Sequence, residues 1–67
     1  MNITINHQIE EVAENACLHD VVQERLGEKL HGIAVAVNHV VIPRERYATH
    51  ALQANDNILI IKATQGG

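Results

Sequence analysis

The sequence predicts an α+β fold: one mixed sheet, in the order β-β-α-β-β-β, curled round a single helix. Three observations carry that prediction. The hydrophobic period changes from two to that of a helix after Ala16, and returns to a strand pattern after Gly32. Two Asn-His pairs, Asn6-His7 and Asn38-His39, separate short apolar segments where hairpin turns belong, because Asn tolerates positive φ. The run Ile58-Leu59-Ile60-Ile61 is the most apolar in the chain, and a continuous run bounded by turn residues suits a strand buried in the middle of a sheet.

The elements follow in order. Asn2 to Asn6 alternates, with Ile3 and Ile5 on one face and Thr4 on the other, as a half-buried strand does. Gln8 to Val12 returns as a second strand, and its Glu10 and Glu11 suit a sheet edge, where carboxylates discourage pairing with other chains. Leu18, Val21, Val22 and Leu26 then form one helical face. Gly27 can end this helix, or Glu28-Lys29-Leu30 can add a turn before Gly32. The cap is imperfect: Cys17 stands where Ser, Thr, Asp or Asn is expected, although Asp20 occupies the carboxylate position of a capping box.

Ile33 to Val37 and Val40 to Ile42 form the second hairpin. Pro43 stops that strand and opens a short helical turn through Arg44, Glu45, Arg46 and Tyr47. Leu52 falls in a connecting loop, and Ala54-Asn55-Asp56-Asn57 is a turn cluster. Ile58 to Ala63 closes the sheet, with the first and last strands parallel in its middle. All 67 residues make one domain, ending in a flexible tail over Ala63-Thr64-Gln65-Gly66-Gly67.

Composition narrows the function. A domain this small buries only about 60% of the surface that its unfolded chain exposes. Cys17 is the sole cysteine, so no internal disulfide can form and a reducing compartment is expected. There is no signal segment, and the apolar runs are too short to span a bilayer, so the expectation is a cytoplasmic protein without membrane contact. Five basic residues are scattered among eight acidic ones, for a net charge of −3, which argues against binding nucleic acid. With Tyr47 the only aromatic residue, there is no base-stacking platform.

The chemistry-bearing candidates are few. Gly66-Gly67 has no Cβ at either position and can thread a narrow channel, leaving the Gly67 carboxylate as a chemical handle. The bland reading of this tail is a loose terminus. Cys17 reads as a small buried hydrophobe, with a thiolate activated by the helix N-terminus as the alternative. The five histidines lack the spacing of a metal site, so no metal is expected. No glycine-rich phosphate loop with Lys-Ser or Lys-Thr is present, so no bound ATP is expected.

Lys62 suggests that Ile58, Ile60 and Lys62 share the outer face of the last strand, with Leu59 and Ile61 toward the helix. The outer face would then be an apolar docking patch, joined by Arg44 on its surface turn. The bland alternatives are cover by neighbouring side chains and, for Arg44 and Glu45, a solvated turn.

Several of these segments together resemble a known family. They are the strand end Ala36-Val37-Asn38, the segment Val41-Ile42-Pro43-Arg44-Glu45 with Tyr47 after it, the turn and strand Asn55-Asp56-Asn57-Ile58-Leu59-Ile60, and terminal Gly66-Gly67. Across nearly its whole length the chain is similar to the thiamine-biosynthesis sulfur carrier (ThiS) family, whose fold is the ubiquitin-like β-grasp. It departs from the family pattern at Asn55, where Gly is usual, and at Cys17, where Thr is usual. Asn is the next-best residue at positive φ, so the turn can survive.

The resemblance implies a non-catalytic carrier with no bound cofactor. A ubiquitin-activating-like adenylyltransferase would use ATP to adenylate Gly67. A sulfur donor fed by a cysteine desulfurase would convert the adenylate to a thiocarboxylate, and thiazole synthase would take the sulfur. Gly66, Gln65 and Thr64 would form the reaching tail. The alternatives are a carrier like the small subunit of molybdopterin synthase, which tends to be longer, and a ubiquitin-like modifier or binding module without sulfur.

Overall fold

The computed structural model describes residues 1–27 and 32–62. The expected extra helical turn over Glu28-Lys29-Leu30 and the tail from Ala63 onward lie outside the described residues. Strand β1 is Asn2–Ile5 and β2 is Gln8–Glu11; helix α1 is Leu18–Leu26; β3 is Ile33–Val37, β4 is Val40–Ile42 and β5 is Asn57–Lys62, with a 3-10 helix over Arg44–Thr49 before β5. The sheet order is β2-β1-β5-β3-β4. β5 runs parallel to β1 and antiparallel to β3, and both hairpins are antiparallel. The apolar run at the end of the chain therefore occupies the centre of the sheet, and the Glu-bearing strand occupies an edge.

Both hairpins close through two-residue turns with positive φ at both positions: 50° and 72° at Asn6 and His7, 51° and 72° at Asn38 and His39. That sign pattern matches the twist of the flanking strands, which is why such turns dominate two-residue hairpins. Asn55 also has positive φ, at 71°, so the turn survives without glycine.

Helix α1 lays Leu18, Val21 and Val22 against Ile3 and Ile5 of β1, Val35 and Val37 of β3, and Ile58 of β5. Cys17 takes the N-cap position with extended backbone, and the reciprocal capping box forms with its thiol in place of a hydroxyl. Its own N–H donates to the Asp20 carboxylate at 3.4 Å. Gly27 ends the helix at φ 61° and ψ −121°, with its N–H bonded to the Gln23 carbonyl. A Cβ there would meet nothing within 4 Å, so the backbone angles rather than lack of space require glycine.

The helical turn after Pro43 is longer than expected and reaches Thr49. Pro43 is its N-cap, because φ near −64° combined with extended ψ suits the residue before a helix. The chain after it straps the start of α1: Leu18 N–H donates to the His50 carbonyl at 2.9 Å, and Leu52 N–H to the Ala16 carbonyl at 3.1 Å. Tyr47 and Leu52 are both buried in the core. Burial pushes the Tyr47 phenol pKa up, with Arg44 pulling it the other way.

Asp56 is the one charged or polar residue among the buried described residues. Its Oδ1 accepts from the Asn38 amide at 3.0 Å and its Oδ2 from the Gln53 N–H at 2.8 Å. It thereby ties the turn before β5 to the β3–β4 hairpin. Leaving those donors unpaired costs about 1–3 kcal/mol. Asp56→Ala is expected to lower stability by that order in a urea melt, whereas a loss under about 0.5 kcal/mol would show that water replaces the carboxylate freely.

Candidate functional site

Gly67, Gly66, Gln65 and Thr64 fall outside the described residues, so the structure bears on the element that carries them. β5 lies between β1 and β3, and β3 accompanies it to its last residue, with Ile33 opposite Lys62. The last described residue before the Gly-Gly segment, Lys62, is therefore held in the sheet by its pairing with β3.

The facing of β5 is opposite to the sequence expectation. Ile58 is fully buried in the core, beside Ile5 and Val37 in register. Ile60, opposite Val35, packs half-buried against the same core. Leu59 and Ile61 occupy the other face, and Ile61 is 54% exposed. Lys62 shares the parity of Ile58 and Ile60, so it belongs to the helix side, where it is exposed. The misreading came from anchoring the alternation on Lys62. A lysine at a strand end reaches water from either face, because its long stem lets the ammonium leave the protein. Ile58, Ile60 and Lys62 therefore lie on the helix side of β5 and form no docking patch on the outer face.

The outer face does carry an apolar strip, built from other residues. Leu59 pairs with Ala36, which pairs with Val41 on β4; Ile61 pairs with Ala34. Val41 is 66% exposed. The two alanines are small, so the larger side chains beside them stand proud of the strip. Arg44 is exposed on the 3-10 helix, which packs against α1 on the opposite side of the sheet. The structure does not bring Arg44 together with Leu59 and Ile61.

The side chains of the turn asparagines were not foreseen as parts of the site. The Asn6 Oδ1 accepts the Ile60 N–H at 2.9 Å, and the Asn38 Oδ1 accepts the Asn57 N–H at 2.9 Å. Both therefore dock on β5. The signal available in the sequence was that each turn uses Asn, whose side chain can bond backbone, where Gly alone would satisfy the geometry.

Cys17 is half-buried rather than fully buried. Among the described residues no group of three or more His, Cys, Asp and Glu side chains could hold a metal ion. Among the same residues no helix is long and apolar enough to cross a membrane.

A five-stranded mixed sheet wrapped on one helix, with its parallel central strand leading into the C-terminal residues, defines the ubiquitin-like β-grasp class. Within that class the chain belongs to the ThiS family, whose model matches residues 2–67. It is 34% identical to the sulfur carrier protein ThiS of Escherichia coli (strain K12), over the full length of both chains. The fold is also that of a thiamine biosynthesis protein (ThiS) from Geobacter metallireducens. The crystal structure of that protein superposes with a TM-score of 0.85 at 22% identity, with both chains covered completely. The solution structure of a thiamine biosynthesis protein from the same organism gives 0.78 at 22% identity, covering all of this chain and 88% of that one.

Proposed function

We propose that this chain is the sulfur carrier of thiamine biosynthesis and that Gly67 bears the sulfur. The observation that carries the reading is the family match, which runs through both terminal glycines. The chain acts as a carrier, a substrate of partner enzymes rather than a catalyst. The fold supplies a rigid body, and the five residues after Lys62 can span at most about 17 Å when extended. That length lets a carboxylate reach an enclosed active site while the body stays on the partner's surface.

The chemistry follows from what a carboxylate lacks. Its resonance makes it a poor electrophile, so it must first gain a leaving group. In the adenylating partner, attack of the Gly67 carboxylate on the α-phosphorus of ATP breaks the α–β anhydride bond and releases pyrophosphate. A sulfide equivalent from the donor system then adds to the carbonyl. The C–O bond breaks with its electron pair leaving on AMP, and a thiocarboxylate remains for thiazole synthase. Glycine at the tip leaves the carbonyl unobstructed. The outer strip of Leu59, Ile61 and Val41 supplies the docking surface, because contiguous exposed apolar area marks interfaces.

Deleting Gly67 tests this reading in cells. In a strain that lacks its own carrier, the full chain is expected to restore growth without added thiazole, and the deleted chain is expected to fail. Growth with the deleted chain would overturn the assignment of sulfur to Gly67.

A further inference from the structure

β5 has neighbours on both sides only along its first half. β3 accompanies it from Ile58 to Lys62. β1 pairs with it only at Asn57 and Ile58, because the chain then turns back at Asn6-His7 into β2. A parallel neighbour continuing past Ile5 would next present a backbone carbonyl to the Ile60 N–H. The Asn6 side chain stands in for that missing carbonyl, accepting the Ile60 N–H at 2.9 Å. The backbone N–H of Asn6 meanwhile donates to the Ile58 carbonyl at 2.9 Å. One residue thus grips two successive peptide groups of β5, and among the described residues β1 has no ladder partner opposite Leu59 to Lys62.

The second hairpin provides an internal comparison. There Asn38 accepts the Asn57 N–H and donates to the buried Asp56, so it fixes where β5 begins. Asn6 acts further along, seven residues before Gly67 in sequence. Its turn needs positive φ, which glycine supplies without strain. What Asn adds over Gly at this position is the bond to Ile60.

We propose that Asn6 is a positioning residue: its side-chain amide fixes the direction in which β5 leaves the sheet and so aims the carrier's C-terminal segment at partner active sites. The proposal rests on the carrier reading above. A small change of strand direction at Ile60 is carried through every residue that follows. Releasing Ile60 therefore leaves the exit direction of β5 less well defined when the carrier meets a partner. Once docked, the reacting atoms are unchanged, so the cost falls on binding rather than on the chemical step.

The test uses the full chain with an adenylating enzyme of the thiamine pathway, following pyrophosphate release as carrier concentration varies. Asn6→Gly keeps the turn and removes the bond. It is expected to raise the KM for carrier by about two- to fivefold, the low end for a hydrogen bond because this one is exposed to water, with kcat unchanged. Its Ile60 amide is expected to exchange with solvent faster than in the parent. Asn6→Asp, which keeps an acceptor oxygen and tolerates the same φ, is expected to restore both. A folded Asn6→Gly variant with faster Ile60 exchange and an unchanged KM would overturn the role of Asn6. Absence of pyrophosphate release from the parent chain, with an enzyme proven active on another carrier, would instead overturn the carrier reading.

Discussion

Ile58→Ala is expected to remove about 2–5 kcal/mol of stability, the range for truncating a fully buried isoleucine. Ile58 is 0% exposed, sits opposite both Ile5 and Val37, and packs with Leu18 and Val22 of the helix in one cluster. Removing three carbons there loses apolar burial and leaves a cavity that the flanking strands cannot close without breaking their ladders. A domain of this length has roughly 3–10 kcal/mol in total, so the variant is expected to be largely unfolded or close to it at 37 °C. The adjacent position is the control. Leu59 lies on the outer face, only partly buried, so Leu59→Ala is expected to cost about 1 kcal/mol or less. Urea unfolding of both variants decides the matter: a larger loss at Leu59 than at Ile58 would mean that β5 faces the other way.

Ile61→Glu is expected to leave the fold intact and weaken partner binding at least about tenfold, the scale of a central apolar contact in an interface. Ile61 is 54% exposed and stands beside Ala34, so a carboxylate there stays in water when the protein is free. Against a partner it would be desolvated without a counter-charge. Calorimetric titration with the adenylating enzyme and with thiazole synthase measures this separately for each partner. Unchanged affinity for both in a folded variant would remove the outer strip as a docking surface. Ile60→Glu behaves differently: it places a charge against the core and is expected to unfold the chain rather than to spare it.

Much of this architecture was legible in the sequence because local rules and the global fold agree. The Asn-His pairs fixed both turns, the stripe Leu18-Val21-Val22-Leu26 fixed the helix, and the apolar run after Asn57 fixed the central strand. Facing of β5 was not legible. Strand parity shifts every side chain to the other face with a one-residue slip, and four consecutive apolar residues give no alternation to read. The decisive facts are tertiary: Thr4 pairs with Asn57 on the polar side, so Ile5 and Ile58 share the buried side. The same limit hid the role of Asp56. In sequence it is one residue of a turn cluster, and its partners Asn38 and Gln53 are set by how the hairpin folds over that turn. The contacts of Asn6 and Asn38 with β5 were hidden for a related reason, since they join residues 54 and 19 positions apart.

Intact-protein mass spectrometry tests the central claim most directly. The chain is incubated with ATP, an adenylating enzyme of the thiamine pathway and a sulfur source, beside a chain lacking Gly67. The carrier account predicts a mass gain equal to one oxygen replaced by sulfur in the full chain, and none in the shortened one. No gain in the full chain, with an enzyme shown to be active on another carrier, would contradict it.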